Sequence, residues 1–203
     1  MRHGWRPYLR VKRGVDLLIT LALIPLIVPV MVVCAVAIRL DSPGPIFFSQ
    51  VRTGRDGKRF RMFKFRTMVE NAEELKASLA HLSIVPPPDF KVIDDPRITR
   101  VGAFLRAASL DELPQFINVL LGHMSVVGPR PTSFEPATYA LWHTERLEAR
   151  PGITGLWQVK GRNETTFDER LRLDIAYLNR MSLRLDLTIL LLTVGAVVRR
   201  SGA

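Results

Sequence analysis

Residues 109–122 read SLDELPQFINVLLG, and this stretch predicts an amphipathic helix that begins with two adjacent carboxylates, Asp111 and Glu112. Apolar residues recur at helical spacing, and a glycine stands where helices commonly end: Leu113, Phe116, Ile117, Leu120, Leu121 and Gly122. Ser109 and Glu112 fit a capping box, although Pro114 leaves the N-cap ambiguous between Ser109 and Asp111. Because most such pairs only cap a helix, a catalytic hypothesis for the carboxylates depends on the rest of the chain.

The composition is basic and unusually apolar. The 203 residues include 29 Lys and Arg against 19 Asp and Glu, which gives a net charge of +10, and 47% of them are hydrophobic. This excess of positive charge indicates a polyanionic partner, and nucleic acid, anionic lipid and a phosphorylated substrate all satisfy it. Cys34 is the single cysteine, so the chain has no internal disulfide framework, as is typical of a reducing compartment.

An uncharged run of 22 residues, 17–38, is long enough to cross a membrane, since a straight helix of that length covers roughly 33 Å. Pro25 and Pro29 lie inside the run. Basic residues flank it on both sides: Arg6, Arg10, Lys12 and Arg13 before it, and Arg39, Arg52, Arg55, Lys58, Arg59 and Arg61 after it. The positive-inside rule keeps both flanks in the cytoplasm, so we predict a re-entrant membrane helix that turns back at the prolines.

Two other interpretations of this run stay open. A plain spanning helix has the required length. A secretory signal peptide would use the small residues Ala35 and Ala37 for cleavage, but the run exceeds the usual ~7–15 residues.

The region after the membrane run predicts a β-hairpin, with strands at residues 46–51 and 59–65 and a loop at 54–58. Alternation places Phe63 and Phe65 on one face and Lys64 and Arg66 on the other. The basic face is either solvated or turned towards phosphate. Further helices are predicted at residues 69–82 and 167–178, and at 187–198 as an interfacial helix capped by Asp186.

Two loops rich in glycine, proline and arginine follow. Residues 128–131 read GPRP, and residues 150–162 read RPGITGLWQVKGR. Glycines allow backbone N–H groups to approach phosphates, and Arg130, Arg150 and Arg162 can grip phosphate oxygens bidentately. The sequence has no Walker A motif, no G-x-G-x-x-G and no zinc-ligand spacing among its histidines. Asp94 and Asp95 could bind a metal, but acids before proline more often form turns.

Eight motifs occur in one order along the chain: KRGVD (12–16), GPIF (44–47), KFRTM (64–68), SLDELPQ (109–115), NVL (118–120), MSVVGPRP (124–131), RPGITG (150–155) and GRN (161–163). Over nearly its whole length the chain resembles the bacterial sugar transferases, the monotopic phosphoglycosyl transferases, in their small form without an added domain. The resemblance implies an α+β fold that is mostly helical. It implies a re-entrant membrane helix in residues 1–40, and a cytoplasmic catalytic body with an interfacial C-terminal helix in residues 41–203.

The same resemblance implies a UDP-sugar donor, a polyprenyl phosphate acceptor, Mg²⁺, contact with membrane lipid and no nucleic acid, at the cytoplasmic face of a bacterial inner membrane. A homodimer is compatible with it. Asp111 would take the phosphosugar, and Asp111 and Glu112 would hold Mg²⁺. The phosphate-binding residues would be Lys64, Arg66, Arg130, Arg150 and Arg162.

One feature departs from the family pattern: small members often carry Ser-Pro at the helix break, and this chain has Val28-Pro29. Two other functions stay open, a glycosyltransferase that releases UDP and a non-catalytic membrane-anchored protein that binds anionic lipid or nucleic acid. The products distinguish them: UMP, UDP or none.

Overall fold

The computed structural model describes residues 5–85, 90, 92–135, 140–160 and 166–198. Its helices are α1 (Trp5–Asp41), α2 (Ala72–Ser78), α3 (Arg100–Ala107), α4 (Gln115–Leu120), α5 (Leu156–Lys160), α6 (Phe167–Asn179) and α7 (Leu183–Val198). Its strands are β1 (Phe47–Thr53), β2 (Arg59–Phe65), β3 (Ser125–Val127) and β4 (Gly152–Thr154). The strands form two separate two-stranded sheets, β1 with β2 and β3 with β4. The prediction of an α+β fold that is mostly helical is therefore confirmed.

Helix α1 contains the whole apolar run, and its helical backbone continues through Pro25 and Pro29. Within the described part of the chain, residues Pro7–Asp41 form the one helix long and apolar enough to cross a membrane. Large apolar side chains in its middle are exposed, among them Leu18, Leu21, Leu26 and Val32. The re-entrant path of this helix stays a prediction.

The N-terminal part of α1 is joined to the rest of the protein by buried polar contacts. The carboxylate of Asp16 accepts hydrogen bonds from the Ser125 hydroxyl at 2.7 Å and from the Val126 N–H at 3.1 Å. The Lys12 ammonium lies 2.7 Å from a carboxylate oxygen of Asp186. Since a buried charge is tolerated only when it is paired, these contacts fix α1 against β3 and α7.

The C-terminal part of α1 packs on a different region of the same body. Its buried residues belong to a small apolar cluster composed of Cys34, Ile38, Phe65 and Leu105. The Asp41 carboxylate also accepts a hydrogen bond from the Val101 N–H, at 3.1 Å, at the start of α3. Both ends of α1 therefore contact the body formed by the rest of the chain.

The hairpin prediction is confirmed: β1 and β2 pair antiparallel, from Phe47 opposite Phe65 to Thr53 opposite Arg59. Helix α6 also lies where it was predicted, and Thr166 caps it with Glu169 three positions later. Helix α2 is shorter than predicted, with a separate 3₁₀ turn following at Ala80–Leu82.

Helix α7 begins earlier than predicted, and the capping role expected for Asp186 was wrong. The Ser182 hydroxyl accepts a hydrogen bond from the Leu185 N–H at 3.2 Å, so Ser182 caps the helix. Asp186 instead lies in the first turn, buried, where it pairs with Lys12 and accepts a hydrogen bond from Tyr177 at 2.7 Å. The outer side of α7 exposes Leu187, Leu191 and Val194.

Candidate active site

The two carboxylates lie in a single 3₁₀ turn, Leu110–Glu112, ahead of a six-residue α4 that begins at Gln115. Ser109 adopts a left-handed conformation, φ 56°, and its side chain makes no capping hydrogen bond. The predicted capping box was therefore wrong. A dipole from so short a helix is also a weak source of stabilisation for Asp111, since the effect depends on many aligned peptides.

Glu112 is held by two cations. Its Oε1 lies 2.7 Å from the Lys64 ammonium and 2.7 Å from Arg130 Nη2, and Arg130 Nη1 lies 3.3 Å from its Oε2. Burial raises the pKa of Glu112, but Arg130 and Lys64 outweigh burial and hold that pKa well below its usual range. The Lys64 ammonium is also 3.4 Å from Oδ2 of Asp111, which is itself buried.

Asn118 explains how Lys64 meets Asp111 and Glu112, which lie 47 and 48 positions later in the chain. Its side chain is fully buried and spans from α4 to β2, accepting from the Phe63 N–H at 2.9 Å and donating to the Arg61 carbonyl at 2.7 Å. The neighbouring Lys64 is thereby fixed towards the 3₁₀ turn. Lys64 thus belongs to an ion-pair cluster, so the solvated basic face was the wrong interpretation.

Arg130 is positioned by two glycine loops that lie against each other. The Gly128 N–H donates to the Thr154 carbonyl at 2.9 Å, and the Gly152 N–H donates to the Pro129 carbonyl at 2.8 Å. A Cβ on Gly128 would lie 2.5 Å from the Arg150 carbonyl oxygen, so only glycine allows this approach. These two N–H groups bind backbone carbonyls and so do not face phosphate, while the expectation for the other glycines of the two loops stays a prediction.

A second buried pair, which no motif in the sequence indicated, supports the Arg130 loop. An Arg146 Nη2 lies 2.5 Å from Asp174 Oδ2 and also donates to the Arg130 carbonyl. Burial raises the pKa of Asp174 to about 6, although Arg146 opposes that shift. The available signal was an acid at a helical position that shares the buried face of α6 with Leu171 and Leu178.

Arg106 is a further cation near the carboxylates. It is half-buried, and its Nε donates to the Thr67 hydroxyl at 2.9 Å. Burial lowers the pKa of Arg106, while the negative charges of Asp111 and Asp95 oppose this. Arg106 therefore lies within the electrostatic reach of the carboxylate pair, and no local pattern in the sequence identifies it.

The other predicted phosphate-binding arginines have different surroundings. Arg66 is buried and donates to the Ser42 carbonyl and hydroxyl, at 2.8 and 2.9 Å, and to the Pro43 carbonyl. Arg150 donates to the Gly122 carbonyl at 2.8 Å, just beyond the C-terminal end of α4. Arg162 lies outside the described residues. The structure thus groups Lys64 and Arg130 with the carboxylates, while Arg66 and Arg150 hold backbone carbonyls.

Asp111 and Glu112 suit Mg²⁺ only if substrate oxygens and water complete its coordination. No cluster of three or more His, Cys, Asp or Glu side chains occurs among the residues with described positions. Mg²⁺ is commonly held by one or two carboxylates together with substrate phosphates and water, which Asp111 and Glu112 can supply in part. Asp95 is engaged elsewhere, since it pairs with Arg97 at 2.6 Å.

A long apolar helix of the membrane-crossing type is joined to a body that holds a carboxylate pair bound by cations. This combination defines a membrane-associated protein with a site suited to anionic substrates. The chain belongs to the bacterial sugar transferase family, whose model matches residues 7–200.

Curated relatives cover most of this chain. The exopolysaccharide production protein ExoY of Sinorhizobium fredii is 36% identical over 95% of this chain and 87% of its own length. The undecaprenyl-phosphate galactose phosphotransferase of Salmonella typhimurium is 44% identical over 95% of this chain, and the match covers 41% of that protein. The UDP-glucose:undecaprenyl-phosphate glucose-1-phosphate transferase of Klebsiella pneumoniae is 41% identical over 90% of this chain and 39% of its own length. The chain therefore spans about two fifths of the length of several relatives that it matches.

Proposed function

We propose that the protein transfers a phosphosugar from a UDP-sugar to a polyprenyl phosphate such as undecaprenyl phosphate, and releases UMP. This would be a first membrane step in the assembly of a glycoconjugate such as an exopolysaccharide. The observation that carries the proposal is the pair of adjacent carboxylates, buried Asp111 and partly buried Glu112, bound by Lys64 and Arg130. The names of the relatives from Salmonella typhimurium and Klebsiella pneumoniae support the same donor and acceptor classes.

In the first step, a carboxylate oxygen of Asp111 attacks the phosphorus that bears the sugar. A new bond forms between that oxygen and phosphorus, the bond to the bridging diphosphate oxygen breaks, and UMP leaves with the bonding electrons. Lys64, 3.4 Å from Asp111 Oδ2, and Arg130 are placed to stabilise negative charge on the diphosphate. Mg²⁺, held by Asp111 and Glu112, would supply further neutralisation of that charge.

In the second step, an oxygen of the acceptor phosphate attacks the same phosphorus and releases the Asp111 carboxylate. The acceptor becomes a polyprenyl diphosphate sugar. Because attack by a carboxylate divides the transfer between two anionic substrates into two steps, donor and acceptor need not occupy the site together.

The site is proposed to lie at the cytoplasmic face of the inner membrane. Both ends of α1 contact the same body, through Asp16 at one end and Asp41 at the other. If that body lies on one side of the bilayer, the exposed apolar middle of α1 enters and returns on that side. The exposed leucines of α7 would lie in the interface beside it.

The experiment is to measure the intact mass of the protein after incubation with UDP-sugar and Mg²⁺ in the absence of acceptor. We expect a mass gain of one phosphosugar, with an equal amount of UMP, in the wild type. Asp111→Asn should show neither, because the amide is not a nucleophile, while Glu112→Gln should slow both steps.

The control is Glu73→Gln, which removes an exposed carboxylate on α2 and should behave as wild type. Turnover that survives in Asp111→Asn would contradict the covalent scheme. UDP as the product would indicate a glycosyltransferase, and no product with any UDP-sugar would indicate a non-catalytic lipid-binding protein.

A further inference from the structure

An apolar groove of about 530 Å³ lies between α1 and α3 and includes Leu110 in its lining. Its lining includes Pro29, Val33 and Ala37 from α1, Val101 and Phe104 from α3, and Leu110. Leu110 directly precedes Asp111 in the 3₁₀ turn. The groove therefore connects the membrane helix with the candidate nucleophile.

The apolar surface continues on both sides of the carboxylates. Leu110 and Leu113, which flank Asp111 and Glu112, both pack against the apolar cluster beneath α1 and α3. The reacting carboxylates are thus one residue away from a surface suited to hydrocarbon. The donor is highly charged, so this surface does not match it, whereas the acceptor combines a phosphate with a long apolar chain.

Two of the lining side chains are strongly exposed, Val33 at 69% and Phe104 at 54%. Because bilayer lipid also covers apolar surface, an isoprenyl chain is favoured here by van der Waals contact with the walls of the groove rather than by transfer out of water. Two cations of α3 accompany the apolar wall: Arg100 lines the groove, and Arg106 interacts with the negative charge of Asp111. A groove that combines apolar walls, a lining cation and a neighbouring nucleophile is complementary to a lipid that carries a terminal phosphate.

We propose that this groove binds the isoprenyl units next to the phosphate of the acceptor, and so delivers that phosphate to Asp111. The inference rests on the proposed function. Pockets of about 300–1,000 Å³ hold ligands of drug size, so the groove accommodates only the first few isoprenyl units. The rest of the chain remains in the bilayer, and affinity for the acceptor rises with chain length only until the groove is filled.

The test compares two tryptophan substitutions on α1. Val33→Trp fills the groove, while Val36→Trp adds the same bulk at an exposed position, 54% exposed, that does not line it. Val33→Trp should raise KM for polyprenyl phosphate about tenfold, because the indole occupies the volume that the first isoprenyl units would fill, and overfilling a packed site has an effect of about this size. Val36→Trp should leave KM unchanged.

Formation of the covalent adduct from donor alone separates this proposal from the proposed function. Both variants should form the adduct at the wild-type rate, which also shows that they fold. Absence of the adduct in the wild type would overturn the two-step function. A normal adduct with an unchanged KM in Val33→Trp, or with equal rises in both variants, would overturn the groove alone.

A second measurement identifies the occupant. A photoreactive residue in place of Phe104 should cross-link to radiolabelled polyprenyl phosphate in vesicles of phosphatidylglycerol and phosphatidylethanolamine. Excess unlabelled polyprenyl phosphate should abolish the cross-link, while inorganic phosphate should not. Capture of phospholipid that polyprenyl phosphate does not displace would show that the groove is only a bilayer contact and would overturn the proposal.

Discussion

Glu112 is engaged on both carboxylate oxygens by Lys64 and Arg130. The cations that would bind a diphosphate therefore already have an anionic partner, and an entering donor exchanges one anion for another. Such an exchange lowers the cost of keeping two partly buried cations close together, since each remains paired throughout. Arg106 differs from Lys64 and Arg130, because it donates a hydrogen bond to the neutral hydroxyl of Thr67.

We predict that Arg106 contacts a substrate phosphate. Arg106→Gln should lower kcat/KM roughly 10–100-fold, which corresponds to losing one charge-assisted hydrogen bond of about 1.5–3 kcal/mol. Steady-state kinetics with varied donor and acceptor would show which substrate is affected. The control Arg61→Gln removes an exposed cation from β2 and should have nearly the wild-type kcat/KM. Equal losses of kcat/KM in both variants would contradict the prediction, because they would show that Arg106 adds only to the overall positive charge.

The strand β2 and the turn that carries the carboxylates form one unit because Asn118 joins them. Its buried amide accepts from one backbone group of β2 and donates to another. Asn118→Leu keeps the branched shape but removes both hydrogen bonds and leaves a partly buried N–H and a partly buried carbonyl without them, at about 1–3 kcal/mol each.

We therefore predict that Asn118→Leu lowers the free energy of unfolding by roughly 2–4 kcal/mol and also lowers kcat, since Lys64 is no longer held at Glu112. Denaturant unfolding and UMP release measure the two effects. Leu120→Ala, at an exposed position on the same helix, is the control and should change neither strongly. If Asn118→Leu were as stable and active as wild type, Asn118 would be dispensable for the alignment of β2 and α4.

At the level of elements, local patterns predicted the hairpin, α6 and the glycine after α4, because each depends on neighbouring residues. Gly122, for example, has φ +80°, as a C-terminal glycine should. The capping roles of Ser109 and Asp186 failed because distant partners, Lys64 and Arg130 for Glu112 and Lys12 for Asp186, compete for the same carboxylates. No local pattern contains such long-range pairs.

The candidate site likewise contains residues that local motifs predicted and residues that only the fold brings into place. Asp111, Glu112, Lys64 and Arg130 were identified through motifs and are brought together by the fold. Arg106, Arg146 and Asp174 were not, since their contribution depends on packing between α3, α6 and the loops. Composition alone also could not distinguish arginines that face the site from those, such as Arg66, that bind carbonyls.

For the whole molecule, the contacts at both ends of α1 lead to a prediction about topology. In a Cys34→Ser background, single cysteines at the exposed positions Arg10 and Lys58 should both react with a membrane-impermeant maleimide only from the cytoplasmic side. A cysteine at Leu26, exposed in the apolar middle, should stay unreactive until detergent is added. Labelling of Arg10 and Lys58 from opposite sides would establish a spanning helix instead.

The pairing of Lys12 with Asp186 joins residues 174 positions apart. During synthesis at about 5–20 residues per second, the N-terminal helix exists for roughly 10–35 s before its partner leaves the ribosome. Through that interval Lys12 has Asp16, 3.7 Å away on the same helix, as its ion-pair partner. The contact with Asp186 forms only after the last helix has been made, so the last helix completes the docking of the first.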